Sequence, residues 1–279
     1  MSDTPITLEQ ALLSARQAGV DRLDAQLMLC ELLEQSRTWL LAHDRDLIAP
    51  DTLARFQSWV SRRAQGEPLA YLVGDKEFFG LNLQVNPHVL IPRPDTEILV
   101  EWALEHLATQ PEQNVLDLGT GSGAIALALQ HRCPQAHVTA VDASAGALQT
   151  AQHNAQKLNL PVRFLLGSWL QPVQGESFDL IVSNPPYIAE HDPHLQALTH
   201  EPITALTAGP DGLDDLRHIV LAARDHLRPG GWLLLEHGYD QAEAVAALLA
   251  QAGYTRIETR RDLGGNTRCT GGQTLPSSA

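Results

Sequence analysis

Two hydrophobic rhythms divide the chain. In DRLDAQLMLCELLEQ (residues 21–35), Leu23, Leu27, Cys30 and Leu33 recur at helical spacing, with acids and glutamines between them. TLARFQSWVSRRAQG (52–66) repeats the theme with Leu53, Phe56, Trp59 and Val60, before Gly66 and Pro68 interrupt it. This pattern predicts a small helical bundle over residues 1–73. The period then changes. KEFFGLNLQVNPHVLIP (76–92) alternates around Gly80 and Asn86-Pro87, which predicts a short hairpin within a linker spanning 74–93. RPDTEILVEWALEHL (93–107) returns to helical spacing with a stripe of Ile98, Trp102 and Leu107. Asp95 and Glu97 lie in its first turn, where the helix dipole favours acids.

From about residue 113 strands and helices alternate. NVLDLGTGSGAIALALQ (114–130) reads as a strand, a glycine turn and a helix. AHVTAVDAS (136–144) is a second strand and ALQTAQHNAQKL (147–158) a second helix. VRFLLGSWL (162–170) and FDLIVSN (178–184) are the third and fourth strands. Helix DDLRHIVLAARDHL, strand GWLLLEHG, helix QAEAVAALLAQAG and a final strand region, TRIETRRDLGGNTRCTGG, complete the series. Continuous apolar strands alternating with helices predict an α/β domain over 94–279, its mostly parallel sheet covered on both faces.

Composition narrows the class. A hydrophobic share of 44% and a charged share of 19% fit a soluble globular protein. No apolar run reaches membrane-spanning length, and the N-terminal stretch lacks the regions of a signal peptide. Cys30, Cys133 and Cys269 lie far apart with no CxxC pair, which argues against a disulfide framework or a cysteine metal site and fits a reducing cytoplasm. His191 and His194 have ligand-like spacing but no third partner, so no metal is expected. The net charge of −14 weighs against direct grip on nucleic-acid phosphates and suits a basic protein partner.

The glycine turn carries the first chemistry. DLGTGSG places Gly119, Gly121 and Gly123 between a strand and a helix, with Thr120 and Ser122 between them. The spacing differs from the G-x-G-x-x-G of a pyrophosphate site, and Asp117 just before it would repel phosphate. An acid there can pair with an ammonium group. Asp142 ends the next strand, where a carboxylate accepts hydrogen bonds from ribose hydroxyls. An adenosine bearing an amino acid fits both acids, and S-adenosyl-L-methionine is that ligand. A generic tight turn followed by a strand-end acid is the competing reading. Trp169, after the third strand, offers a flat face for adenine, although tryptophan there is as often core.

NPPY, residues 184–187, follows the fourth strand. By itself it could simply stop that strand. Beside a methyl donor it has another use. Asn184 supplies a side-chain carbonyl as acceptor, Pro185 a backbone carbonyl, Pro186 rigidity, and Tyr187 a stacking face. Two acceptors and a ring suit an –NH2 on an sp² carbon, either an amide or an exocyclic base amine. Catalysis would then rest on positioning and electrostatic orientation.

DLGTGSG, Asp142 and NPPY together resemble the class I S-adenosylmethionine-dependent methyltransferases of amino groups, which have a Rossmann-like fold. YLVGDKEFFG (71–80), LIPRPDTE (90–97), HEPITAL (200–206), GPDGL, LLLEHG (233–238) and RDLGGNTR (261–268) narrow the match. Across nearly the whole chain these segments resemble the peptide chain release factor N(5)-glutamine methyltransferases, often called PrmC or HemK. The resemblance implies cofactor contacts at Gly119 to Gly123, Asp142, Trp169 and Asn184. It implies glutamine contacts at Asn184, Pro185, Pro186 and Tyr187, with Asn184, Pro185 and Tyr187 as the catalytic set. It further implies a class 1 release factor as substrate, methylated in its Gly-Gly-Gln loop and engaged in part by the helical region, with S-adenosyl-L-homocysteine as product. Ribosomal-protein glutamine methyltransferases and adenine-N6 nucleic-acid methyltransferases are the alternatives. Thr267 departs from the family, where an acid is common. The chain's own Gly271-Gly272-Gln273 reads as coincidence, and Cys133 as a helix-end residue without function. Arg93 and Glu97 either line the site or fix their helix, whereas Glu236 and His237 read as structural.

Overall fold

Thr7 opens the first helix with a capping box: its hydroxyl accepts from Gln10 N and its own N–H donates to Gln10 Oε1. The computed structural model describes residues 5–108 and 112–276. Two units are distinguished, Met1–Asp75 and Lys76–Ala279. The first is helical: α1 (Leu8–Gln17), α2 (Arg22–Leu33), α3 (Arg37–Ala42), α4 (Pro50–Ala64) and α5 (Leu69–Val73). Its core gathers Leu8, Met28, Leu29, Leu40 and Phe56. The buried stripe of α2 is not the expected one. Leu23 and Leu27 are exposed, whereas Ala25, Met28 and Leu29 are buried. Apolar residues lie on nearly every side of α2, so leucine spacing alone does not select the face that meets α1, α4 and α5.

A two-stranded hairpin, β1 (Asp75–Phe78) and β2 (Leu81–Gln84), starts at the boundary residue Asp75 and runs into the second unit. Phe78, Leu81 and Leu83 join this unit's main core, so the stretch read as a linker is also a packed element. Asn154 ties it down. Its Oδ1 accepts from Gln84 N (2.7 Å), and its Nδ2 donates to Gln84 O (3.0 Å) and Ser122 O (2.9 Å).

Next come α6 (Glu97–Leu107), β3 (Asn114–Leu118), α7 (Ala124–Arg132), β4 (His137–Asp142), α8 (Ala145–Leu158), β5 (Arg163–Leu166) and β6 (Phe178–Ser183). Then α9 (Asp214–Ala222), β7 (Leu227–Glu236), α10 (Ala242–Gln251), β8 (Thr255–Arg261) and β9 (Thr267–Gln273) close the unit. The sheet order is β5-β4-β3-β6-β7-β9-β8. Strands β3 to β7 pair in parallel; the final strand region is an antiparallel hairpin whose β9 pairs with β7. Strand residues alternate between faces. Val115, Val138, Leu180 and Leu234 pack with α6 and α7, while Leu116, Val141, Ile181 and Leu233 pack with α9 and α10.

The Gly-Gly-Gln stretch has a packing explanation. A Cβ on Gly271 would stand 2.5 Å from Leu234 Cδ2 and 2.8 Å from Trp102 Cη2, so β9 carries glycine where it crosses β7 and α6. Chain order reverses at β3: β4 and β5 lie to one side, β6 and β7 to the other. Ligands of open α/β sheets bind at such a switch point, beyond the strand C-termini.

Candidate active site

A cleft of about 340 Å³ lies there, walled by the segments that leave β3, β4, β5 and β6. Its floor is the glycine turn. Gly119 N and Thr120 N both donate to Val141 O, at 2.9 and 3.0 Å, which folds the turn across β4. Gly119 and Gly121 have φ of 72° and 57°, a region that non-glycine residues enter at a cost. The Trp169 indole lies over the turn: a Cβ on Gly119 would meet its Cζ3 at 3.4 Å, an ordinary contact, so it is the positive φ that calls for glycine there.

Two acids flank this floor. Asp142 lines the cleft, its Oδ2 accepting from Gly121 N and its Oδ1 from Ser144 N, both at 2.8 Å. Burial raises its pKa, and these backbone bonds partly offset that. Asp117 is fully buried. Its Oδ2 accepts from Thr120 Oγ1 (2.6 Å) and Ala126 N (3.3 Å), while Oδ1 has no hydrogen-bond partner among the described residues. Desolvation pushes this carboxyl up to about 7, against the pull of Thr120 and Ala126.

The opposite wall comes from Pro87 to Arg93 and from Pro202, Thr204 and Ala205. These two segments are clasped by Glu201, which pairs with Arg93 and accepts from Ile91 N at 3.0 Å. Arg93 therefore lines the cleft. Glu97 instead accepts from Phe79 N (3.1 Å) and supports the hairpin turn. Asp215 lines the cleft beside Trp169; burial raises its pKa, and a hydrogen bond from the indole lowers it.

Asn184 stands at the head of the NPPY segment. Its Nδ2 donates to Thr96 Oγ1 at 3.2 Å, which leaves the amide carbonyl available as an acceptor. Pro185 is buried, and Pro186 lines the cleft. Tyr187 is half-buried; its hydroxyl stands 3.5 Å from Glu236 Oε1, and its backbone carbonyl accepts from Gln241 Nε2 at 3.0 Å. Gly212 has a positive φ of 73°, and a Cβ there would fall 2.2 Å from Tyr187 O. The turn after Asn184 is thus gripped from two sides.

Of the residues singled out in the sequence, Gly119, Thr120, Gly121, Ser122, Asp142, Trp169, Asn184 and Pro186 meet in one cleft. Gly123 is instead the N-cap of α7, packed against Leu127 and Ala151. Pro185 and Tyr187 are not among the residues that line it. Thr96, Glu201 and Asp215 were missed. Thr96 and Glu201 lie in segments that carry the family resemblance and Asp215 just beyond one, but what they touch is distant along the chain. Among the described residues His194 pairs with Asp192 in its loop. Among the described residues no helix is long and apolar enough to cross a membrane.

The donor set fits an adenosyl amino acid. Asp142 has ribose-type acceptors at a strand end, Trp169 a flat face over Gly119, and Asp117, buried next to the turn rather than lining the cleft, a carboxyl oxygen without a partner among the described residues. A family profile described as methyltransferase small domain matches residues 96–211, and one described as PrmC N-terminal domain matches residues 8–74. A release factor glutamine methyltransferase of Bordetella pertussis is 51% identical over 257 residues, 91% of this chain and 95% of its own. One from Vibrio cholerae is 46% identical over 278 residues, 96% of this chain and 97% of its own. A solved methyltransferase from Pyrococcus furiosus, 20% identical, aligns with a TM-score of 0.54 over 78% of this chain and 99% of that one, a likeness of fold. Fold and cleft define a class I methyltransferase with a helical N-terminal domain. Within that class, the chain belongs to the release factor glutamine methyltransferases.

Proposed function

We propose that the chain methylates the side-chain nitrogen of the glutamine in the Gly-Gly-Gln loop of a bacterial class 1 release factor, using S-adenosyl-L-methionine and leaving S-adenosyl-L-homocysteine. The observation that carries this reading is the Asn184 amide, anchored through Nδ2 to Thr96 and presenting a carbonyl at the cleft. Bound S-adenosyl-L-methionine supplies a sulfonium methyl, an electrophile that needs no metal.

The chain's own part is orientation. Gly119 to Ser122, Asp142 and Trp169 hold the cofactor. Asn184 Oδ1 and the Pro185 carbonyl accept the two N–H groups of the glutamine amide, which fixes its plane and directs its nitrogen toward the methyl. The lone pair of an amide is delocalised, so the nitrogen is a poor nucleophile. Donating both N–H groups to acceptors raises its electron density; the N–C bond forms as the S–C bond breaks, its electron pair returns to sulfur, and the surplus N–H proton passes to solvent. Pro186 limits the segment's freedom, and Tyr187 packs beside it.

Single-turnover transfer from radiolabelled S-adenosyl-L-methionine tests the reading. Purified release factor, a ribosomal-protein mixture and DNA are offered side by side. Label is expected on release factor, lost when its loop glutamine is changed to alanine. Asn184→Ala should lower the rate at least about a hundredfold, comparable to removing a preorganised polar group from an active site. Asn184→Asp, which keeps an acceptor, should retain part of it. Label on DNA or ribosomal protein alone, or wild-type rates in Asn184→Ala, would reject the proposal.

A further inference from the structure

RDLGGNTR (261–268) lines no part of the cleft, yet the fold turns it toward the segment that holds Asn184. The stretch closes β8 and opens β9. Asp262 builds its turn: its N–H donates to Asn266 O, its carbonyl accepts from Gly265 N, and its Oδ1 accepts from Asn266 N, each at 2.9 Å. Gly265 has a φ of 84°, a left-handed conformation that suits glycine. Because β9 runs antiparallel to β7, this turn stands at the end of the sheet where β7 finishes. There Arg268 O accepts from His237 N at 2.9 Å, which fixes the arginine backbone beside the exit of β7.

The Arg268 side chain is 13% exposed and joins two carboxylates. Its Nε and Nη2 donate to Asp262 Oδ2 at 3.3 and 3.1 Å, and Nη2 stands 3.2 Å from Asp95 Oδ2. Asp95 lies in the single turn Pro94–Thr96 that leads into α6. The start of that turn is held as well. Arg93, whose carbonyl accepts from Thr96 N at 3.1 Å, pairs with Glu201, and Glu201 accepts from Ile91 N at 3.0 Å. The turn is thus staked at Arg93 and at Asp95. Next to the second stake, Thr96 Oγ1 accepts from Asn184 Nδ2 at 3.2 Å. Among the described residues this is the hydrogen bond of the Asn184 side chain, so the place of the turn sets the place of Asn184 Oδ1.

Stability does not account for the second stake. The Asp95 side chain is 51% exposed, and an ion pair so open to water adds little to folding. Arg268 already has the buried Asp262 as its counter-charge. What the contact with Asp95 adds is position.

We propose that Arg268 and Asp95 are positioning residues for Asn184. Arg268, set by the RDLGGNTR turn, holds the Pro94–Thr96 turn where Thr96 aims the Asn184 amide at the substrate. This rests on the reading of Asn184 as a glutamine-amide acceptor given above. An acceptor that must place a nitrogen in line with a methyl tolerates little displacement, since about 1 Å can cost about a hundredfold in rate. Arginine suits the task because its planar fork reaches two carboxylates at once, whereas a lysine ammonium is a point charge on a flexible stem.

The test uses the full-length protein, S-adenosyl-L-methionine and a release factor, with kcat and KM measured for each substrate. Asp95→Asn leaves Arg268 on Asp262 and removes the ion pair with the turn. It should lower kcat about five- to thirtyfold, with both KM values changed by less than about twofold. Arg268→Lys should lower kcat similarly, and Asp95→Glu, which keeps the charge, should recover part of the rate. Thr96→Val cuts the bond to Asn184 and should lower kcat at least as far. Because Asp95 acts through Thr96, adding Asp95→Asn to Thr96→Val should lower kcat by less than about a further twofold. A second readout needs no protein substrate: the Asn184 side-chain ¹⁵N–H₂ signal, assigned by its absence in Asn184→Asp. It should move in Asp95→Asn and in Arg268→Lys. If the wild type leaves release factor unmethylated, the substrate reading falls and this signal alone decides the positioning. Wild-type kcat in Asp95→Asn and Arg268→Lys, a loss confined to KM for release factor, an undiminished effect of Asp95→Asn on top of Thr96→Val, or an unmoved Asn184 signal overturns it.

Discussion

Asp117 shows how burial of one carboxyl can oppose the fold. Its pKa moves from 3.8 to about 7 on burial, because desolvation outweighs the Thr120 and Ala126 hydrogen bonds. The sign follows from proton binding. Between those values the native chain keeps a proton that the unfolded chain has released, so this group's stabilisation is full below about pH 4 and is lost as pH rises through about 7. Asp117→Asn cannot ionise and should escape that loss. In denaturant unfolding without cofactor, the variant should lie within about 1 kcal/mol of the wild type near pH 4.5 and exceed it at pH 8 by on the order of 2–4 kcal/mol. Its affinity for S-adenosyl-L-methionine should fall, since the unmatched Oδ1 no longer carries charge toward the ligand's ammonium. An equal stability difference at both pH values would reject the assignment. At this scale the sequence was informative where function needs a residue type at a strand end, as with Asp117, Asp142 and Asn184. It was silent on Thr96, whose partner Asn184 lies 88 positions away and is brought to it by the packing of α6 against β6 and β7.

Among elements, the hairpin of β1 and β2 depends on α8. Asn154, 0% exposed, imitates a neighbouring strand: it accepts from Gln84 N, donates to Gln84 O, and reaches Ser122 O in the glycine turn. Asn154→Ala leaves a buried donor and two acceptors unmatched, and should cost about 2–4 kcal/mol of stability. Because Ser122 lies in the cofactor turn, affinity for S-adenosyl-L-methionine should weaken too. Calorimetric titration alongside thermal unfolding reads both effects, and a loss of stability with no change in affinity would separate the hairpin from the site. Alternation around Gly80 made the hairpin legible, but not its anchor, since an asparagine inside a helix pattern reads as a surface polar residue. The C-terminal hairpin was half legible for a related reason. Asp262 to Asn266 mark a turn, yet only the pairing of β9 with β7 makes that edge antiparallel. The stripe on α2 failed because a helix covered on several sides has no single apolar face to read.

On the scale of the whole molecule, the two units close separate cores, one around Met28, Leu29 and Phe56, the other on both faces of the seven-stranded sheet. Every residue of the cleft belongs to the second unit, between Pro87 and Asp215. We propose that the first unit engages the protein substrate. The acidic balance of −14 agrees with a partner that is itself basic. A chain beginning at Gly74 should bind S-adenosyl-L-methionine within about threefold of the full-length protein, because its cleft is intact. Its kcat/KM on intact release factor should fall about 30- to 150-fold, the effect of losing 2–3 kcal/mol of contact remote from the reacting amide. A short peptide carrying only the Gly-Gly-Gln loop supplies the control. It lacks the remote surface, so the shortened and full-length chains should methylate it at similar, low rates. Equal losses on peptide and release factor would instead place the helical unit's contribution in the catalytic site, and full activity on release factor would remove it from substrate engagement.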